Sequence, residues 1–254
     1  MNPFLIPDRI ALVTGGSRGI GFSAARALGE SGAKVILAAR AAASLEAAAE
    51  DLHHAGVEVE FSSVDLSNTN GIAPWFDQCV SAFGLPDILV NAAGITRRGP
   101  ATELSLEDWN TTLAVNATAV FELSRCFARN LMSAGKPGKI VNIASLMTSA
   151  ARKGTSAYTA SKGALGQLTK GLAIDWASHR ILVNAIAPGY IATDLTADLA
   201  ADPAFDDWVK KRCPLGRWGQ PEDIAWPVVF LASPASDFMT GQIIYVDGGW
   251  LATF

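Results

Sequence analysis

Short runs of β-branched and aliphatic residues alternate along this chain with longer tracts in which apolar positions recur every three or four residues. The first pattern predicts strands and the second predicts helices. Strands are expected at 9–14 (RIALVT), 34–38 (KVILA), 57–62, 87–90, 139–143 (KIVNI), 181–186 (ILVNAI) and 242–246. Helices are expected at 20–30, at 44–54 with Gly56 as the stop, and at 71–83. A long helical tract over 105–134 opens with SLED, the capping-box pattern. Further helices are expected from about 156 and over 222–232, with a helical piece at 203–211 inside an otherwise mixed stretch. Strands that alternate with helices in this way build a parallel sheet covered by helices. No linker, repeat or low-complexity segment interrupts the pattern, so residues 1–254 are expected to form one domain.

Composition narrows the class. Hydrophobic residues are 50% and charged residues 17%, below the roughly 25% of ordinary domains, which leaves apolar surface over for subunit contacts. The net charge of −4 and the lack of any basic run argue against nucleic acid as a partner. MNPFLIPDR has prolines and an aspartate where a signal peptide needs an apolar core, and no apolar run reaches membrane-spanning length. A soluble cytoplasmic protein is expected, with Cys79, Cys126 and Cys213 as reduced thiols. Neither these cysteines nor His53, His54 and His179 are spaced as metal ligands, so no metal is expected.

Two stretches carry the chemistry. The first strand runs into Thr14-Gly15-Gly16-Ser17-Arg18-Gly19-Ile20-Gly21 and directly into a helix. Glycines there let the backbone turn sharply and approach a pyrophosphate, whose charge then sits at the helix N-terminus. The second strand ends at Arg40 with no carboxylate to bind an adenosine ribose; Arg40 and Arg18 suit a 2′-phosphate, so NADP(H) is expected over NAD(H). Asp65 and Leu66, after the third strand, are placed to meet the adenine, although Asp65 equally suits a turn or cap. The second stretch, SAYTASKGALGQLTKG (156–171), sets Tyr158 and Lys162 one helical turn apart. A cation beside a phenol favours the phenolate and lets tyrosine act as an acid or base nearer neutrality.

With TGGSRGIG, Asn91-Ala92-Ala93-Gly94, Asn116, Ser145 and YTASK in that order, the chain resembles a short-chain dehydrogenase/reductase over nearly its whole length. That resemblance implies a single-domain α/β fold of the Rossmann type: a three-layer sandwich around a seven-stranded parallel sheet. It also implies catalytic roles for Asn116, Ser145, Tyr158 and Lys162. Tyr158 would exchange the proton of the reacting oxygen, Ser145 would steady the charge on it, and Lys162 would bind the nicotinamide ribose and, with the cationic oxidised nicotinamide, lower the Tyr158 pKa. Asn116, a polar residue in an apolar helical run, would hold a relay water; otherwise it is a satisfied buried amide. Asn91, Ala92, Ala93 and Gly94 would flank the adenosine side of the cofactor. Pro188, Gly189, Ile191 and Thr193 would lie along the nicotinamide and its phosphate.

NAAGITRRGPATE, VNAIAPGYIATDLTADLAAD and PLGRWGQPEDIA, with DGGWLA at the end, resemble sugar-acid oxidoreductases of the gluconate 5-dehydrogenase and 2-deoxygluconate 3-dehydrogenase type. A polyhydroxy carboxylate needs a cation near the nicotinamide. Arg97, Arg98 and Arg152 are the candidates, alongside Ser145 and Tyr158, with Lys153 a further cation on that side. Arg97 and Arg98 read equally as solvent-facing loop residues. Reduction of 3-oxoacyl thioesters is the alternative activity, and an NADP(H)-binding sensor without turnover is the alternative of another class. Trp208, Trp218, Trp226 and Trp250 suit core packing, a pocket wall or an interface. The resemblance further implies a homotetramer packed through the 105–134 and 158–177 helices, with a small-molecule substrate as the other partner.

Overall fold

The computed structural model describes residues 2–253. Seven strands form one all-parallel sheet: β1 (Ile10–Thr14), β2 (Lys34–Ala39), β3 (Val59–Ser63), β4 (Ile88–Asn91), β5 (Gly138–Ile143), β6 (Ile181–Pro188) and β7 (Ile243–Val246). Their spatial order is β3-β2-β1-β4-β5-β6-β7. The helices are α1 (Gly19–Glu30), α2 (Ala42–His54), α3 (Ile72–Phe83), α4 (Leu106–Leu113), α5 (Ala119–Ala134), α6 (Ser156–Trp176), α7 (Ala197–Ala200), α8 (Pro203–Arg212) and α9 (Pro221–Ala232).

Strands covered on both faces read as near-continuous apolar runs, as β1 and β2 do, whereas the edge strand β3 exposes Glu60 and Phe61. Along β1 and β2, alternate residues serve opposite layers. Ala11, Val13, Val35 and Leu37 join a core with α1, α2 and α9, while Leu12, Ile36 and Ala38 join one with α3, α5 and α6. The chain reverses its winding direction between β1 and β4. The loops after neighbouring strands diverge at such a point and leave a crevice at the strand C-termini.

Two elements differ from the sequence expectation. The third strand starts at Val59 rather than at residue 57, because the Val57 amide is used to close α2. Its N–H donates to Leu52 O at 3.0 Å, and Gly56 in the left-handed conformation donates to His53 O at 2.9 Å. The 105–134 tract is helical but not one regular helix: a π turn, Ala114–Thr118, separates α4 from α5. Asn116 sits inside that turn and is fully buried, and π turns of this kind gather at functional sites.

Buried polar groups tie the sheet to its helices beneath the crevice. Asn91 Nδ2 donates to Ser124 Oγ at 3.2 Å and to Asn142 Oδ1 at 2.9 Å, and Asn142 Nδ2 donates to Thr169 Oγ1 at 3.0 Å. Thr14 Oγ1 accepts from Ala92 N at 3.1 Å and Ala93 N at 3.2 Å, which fixes the loop after β4 against the end of β1. Thr14→Val keeps the shape and leaves two amides without their acceptor. It should cost about 1–3 kcal/mol in urea unfolding. A loss below about 0.5 kcal/mol would mean that these amides find other partners.

Candidate active site

The glycine-rich loop lies where β1 faces β4, and its geometry explains the glycines. Gly15 has φ +66°, and a Cβ there would lie 2.9 Å from the backbone of Ala93. Helix α1 begins at Gly19 with no acid in its first turn, and its N-cap residue, Arg18, makes no side-chain capping bond. Its first amides are therefore open to an anion. Gly19 faces Thr193, with its would-be Cβ 3.4 Å from Thr193 Cγ2, so the loop after β6 forms the opposite wall. Asn91–Gly94 and Pro188–Gly189 end β4 and β6 on the same edge of the sheet. Asn91 itself turns into the core and positions this edge from below.

Around the adenosine end, Arg40 is exposed past β2 and acts on Asp65, whose carboxyl sits below its usual range chiefly through hydrogen bonds from Ser67, with the Arg40 charge adding to this. Those bonds make the turn reading of Asp65 concrete: Oδ1 accepts from Ser67 N and Oγ at 2.9 and 2.7 Å. Leu66 packs its side chain against the core. Arg18 does not point at Arg40; its guanidinium pairs with Asp194 at 3.0 Å, on the far wall of the cleft. The expectation of two arginines around one phosphate therefore rests on Arg40 alone in this conformation. The cradle of glycines and the open helix N-terminus fit a dinucleotide, with Arg40 an exposed guanidinium past the end of β2.

The four expected catalytic residues converge. Lys162 is buried and its Nζ donates to Ile143 O, at the end of β5, at 2.7 Å. Burial pulls its pKa down to about 8. Nζ lies 5.7 Å from the centre of the Tyr158 ring. Asn116 grips the backbone of Ile95 with both ends of its amide, Oδ1 accepting from N and Nδ2 donating to O, each at 2.9 Å; Nδ2 also donates to Ser161 Oγ at 3.0 Å. Its side chain is thus the satisfied buried amide, and it holds the loop after β4 against α6. A Cβ on Gly94 would fall 3.5 Å from Asn116 Oδ1 and 3.8 Å from Lys162 Nζ, so any bulk at position 94 would close the space between them.

The Tyr158–Lys162 spacing by itself does not bring the phenol towards neutrality: in the protein alone its pKa is pushed up, because burial disfavours the phenolate. The hydrogen bond from Ser145 and then the charge of Arg98 pull it back down. The Lys162 ammonium lies over the face of the ring, 5.7 Å from its centre, and is not among the groups that pull the phenol down.

A pocket opens above Tyr158 and Ser145, with Arg98 and Arg152 in its wall. Arg97 is not there: it pairs with Asp108 at 3.0 Å and caps α4 from outside. Lys153 is exposed and also stays out. The sequence reading missed Tyr190, which lines the pocket at the centre of an aromatic cluster with Phe205, Trp208, Trp218 and Trp250, its ring centre 4.8 Å from that of Trp250. An aromatic residue directly after the Pro-Gly that ends a strand was the available signal. Of the four tryptophans weighed above, Trp218 and Trp250 are buried, while Trp208 and Trp226 keep 41% and 56% of their surface exposed. The three cysteines are free and buried. Among the described residues no group of three His, Cys, Asp or Glu gathers to hold a metal, and no helix is long and apolar enough to cross a membrane.

Residues 15–251 match a family model described as enoyl-(acyl carrier protein) reductase. The chain belongs to the short-chain dehydrogenase/reductase family. It is an oxidoreductase that acts on CH–OH groups. Gluconate 5-dehydrogenase of Gluconobacter oxydans is 44% identical over 246 residues, covering 97% of this chain and 96% of the relative. The 5-keto-D-gluconate 5-reductase of Escherichia coli K12 is 40% identical over 98% of this chain and 97% of its own. Among solved structures, a gluconate 5-dehydrogenase from Burkholderia cenocepacia in complex with NADP and tartrate superimposes with a TM-score of 0.96 at 39% identity, covering 100% of this chain and 99% of that one.

A buried ammonium without a carboxylate partner costs stability, which yields a test independent of activity. The folded pKa of Lys162, about 8, lies below the ordinary 10.5, so between these values the unfolded chain binds more protons and stability rises with pH. Lys162→Met should therefore be more stable than the wild type at pH 7 by roughly 1–3 kcal/mol, the lost bond to Ile143 O offsetting part of the gain. That gap should close as pH climbs from about 8 to 10.5. A gap independent of pH in parallel thermal unfolding would show that the charge is not what costs stability.

Proposed function

We propose that this enzyme interconverts a secondary alcohol and a ketone on a sugar acid of the gluconate/keto-gluconate kind, with NADP(H) preferred over NAD(H). The observation that carries the substrate reading is that Arg98 lines the same pocket as Tyr158 and Ser145, in a wall that contains no acid. A carboxylated polyol has a cation to bind there. An acyl chain gains nothing from it, which sets the 3-oxoacyl-thioester reading behind. The sensor reading is set aside because a protein that only binds has no need of Ser145, Tyr158 and Lys162 assembled beneath a second pocket. Names borne by relatives at 40–44% identity support the same substrate class.

The proposed roles follow from position. When bound, the dinucleotide accepts or donates the hydride. Tyr158 takes the hydroxyl proton during oxidation and returns one to the carbonyl oxygen during reduction. The Ser145 hydroxyl donates to that same oxygen as charge develops on it. Lys162, held by Ile143 O, presents its remaining N–H groups to a ribose and adds positive charge beneath the site. Asn116 keeps the loop after β4, and with it Gly94, in register with Lys162. The α1 amides and Gly15–Gly21 hold the pyrophosphate, with Pro188, Gly189, Ile191 and Thr193 along the opposite wall.

Preference for NADP(H) is supported by Arg40 and by the absence of an acid at the end of β2. A homotetramer accompanies this reading, since Leu106, Phe121 and Ile174 leave 79%, 42% and 79% of their surface exposed on α4, α5 and α6.

Tyr158→Phe should lower kcat by at least about a thousandfold and leave NADPH affinity within about twofold, because it removes one proton and almost no volume. A variant that retains near-wild-type kcat would remove Tyr158 from the acid/base role. Arg40→Asp should weaken NADP⁺ by about ten- to a hundredfold and NAD⁺ far less. Equal changes in both KM values would leave the 2′-phosphate assignment without support. Turnover of gluconate with NADP⁺, or of 5-keto-gluconate with NADPH, followed by nicotinamide absorbance, tests the substrate reading. Activity on acetoacetyl thioesters alone would replace it.

A further inference from the structure

The arginines around the crevice fall into two groups. Arg18, Arg97 and Arg217 each meet a carboxylate within 3.0 Å: Asp194, Asp108 and Asp223. Arg98 and Arg152, the two that line the substrate pocket, make no ion pair among the described residues. What holds them is neutral. Arg98 Nη2 donates to Leu195 O at 2.8 Å, and the Arg152 guanidinium lies over the Phe205 ring, 4.9 Å from its centre. Each guanidinium is aimed by a neutral contact, and the one acid whose charge reaches Arg98, Asp198, forms no ion pair with it.

Their positions also differ. Arg98 is tied to the loop at Leu195, whereas Arg152 sits against Phe205 of α8. The two cations are thus anchored on different segments of the pocket wall, Arg152 on the side of the aromatic cluster. Two like charges within reach of each other in one pocket repel, and a substrate with a single carboxylate neutralises only one of them.

We infer that the pocket takes a polyhydroxy acid with an anionic group at both ends, one bound by Arg98 and the distal one by Arg152. This deepens the sugar-acid reading and rests on it. Carboxylate and phosphate are both recognised by a guanidinium fork, so the distal group is defined here as an oxyanion. Phe205 is a positioning residue, since it orients Arg152 and the substrate contact is made by Arg152 itself.

The test measures binding to the enzyme–NADP⁺ complex by calorimetry, together with turnover, for D-gluconate, the dicarboxylate D-glucarate and 6-phospho-D-gluconate. At least one doubly anionic acid should bind about tenfold or more tightly than gluconate, the advantage of one added charge-assisted pair. Whichever it is identifies the oxyanion. Arg152→Gln should weaken that acid at least about tenfold more than it weakens gluconate, and Arg152→Lys, which keeps charge but not the fork, should fall between. If Arg152→Gln does not fold, the comparison is made with Arg152→Lys alone. Equal affinities for all three acids overturn the inference. So does an Arg152→Gln variant that weakens gluconate as much as the others, which would mean that both guanidiniums share one carboxylate. Gluconate turnover without any advantage for the second charge leaves the sugar-acid reading standing and removes the inference. Tight binding of a doubly charged acid with no turnover of any acid does the reverse.

Discussion

The hydrogen bond from Lys162 Nζ to Ile143 O sets the terms for the rest of the site. An ammonium in the core of a protein is expensive, and the usual remedy is a carboxylate beside it. Here the partner is the carbonyl at the end of β5, which satisfies one N–H and neutralises nothing. The charge is kept, and with it a local positive potential that an ion pair would have cancelled. Everything around it is consistent with holding that potential in place: the polar chain Asn91–Asn142–Thr169 binds β4, β5 and α6 together from below, and Asn116 binds the loop above. Among the described residues, no buried side-chain nitrogen or oxygen lacks a partner, so the strain is electrostatic and confined to one group.

The same logic extends outward from Lys162. The wall of the substrate pocket carries cations and no acids, and the open N-terminus of α1 adds the positive end of a helix dipole. Two acids at the rim, Asp194 and Asp108, are occupied by Arg18 and Arg97. The cleft is thus lined with positive charge, although the chain as a whole is acidic. Tyr158 feels both sides of this arrangement, raised by crowding and lowered by the Ser145 hydroxyl and the Arg98 charge.

What could be read in the sequence was whatever depends on neighbours along the chain. The seven strands, the glycine loop and the Tyr158–Lys162 spacing are local patterns, and each lies where its pattern puts it. Asn116 was visible as a polar residue in an apolar run, but the π turn that carries it was not, because helix periodicity does not register one extra residue in a turn. Contacts between distant segments were the part out of reach. Nothing in RR (97–98) distinguishes the arginine that is spent on Asp108 from the one that faces the phenol. Likewise Arg18 in the glycine loop gives no sign of Asp194, 176 residues away. Tyr190 became significant only through the five-ring cluster that assembles around it from β6, α8 and the C-terminal segment.

The double hydrogen bond between the Asn116 amide and the Ile95 backbone has a bearing on which changes of length this chain tolerates. A single residue added to or deleted from α4 or its π turn ahead of Asn116 would swing that side chain about 100° around the helix axis and tear it from the loop. The segment between Gly99 and Ser105, past the contacts of Arg97, Arg98 and Gly99, is under no such constraint, since a residue more or less there leaves both anchor points where they are. Insertions among homologues should therefore accumulate before the α4 cap and stop at it. The substrate-facing loop is free to diversify while the rod behind it is locked in register.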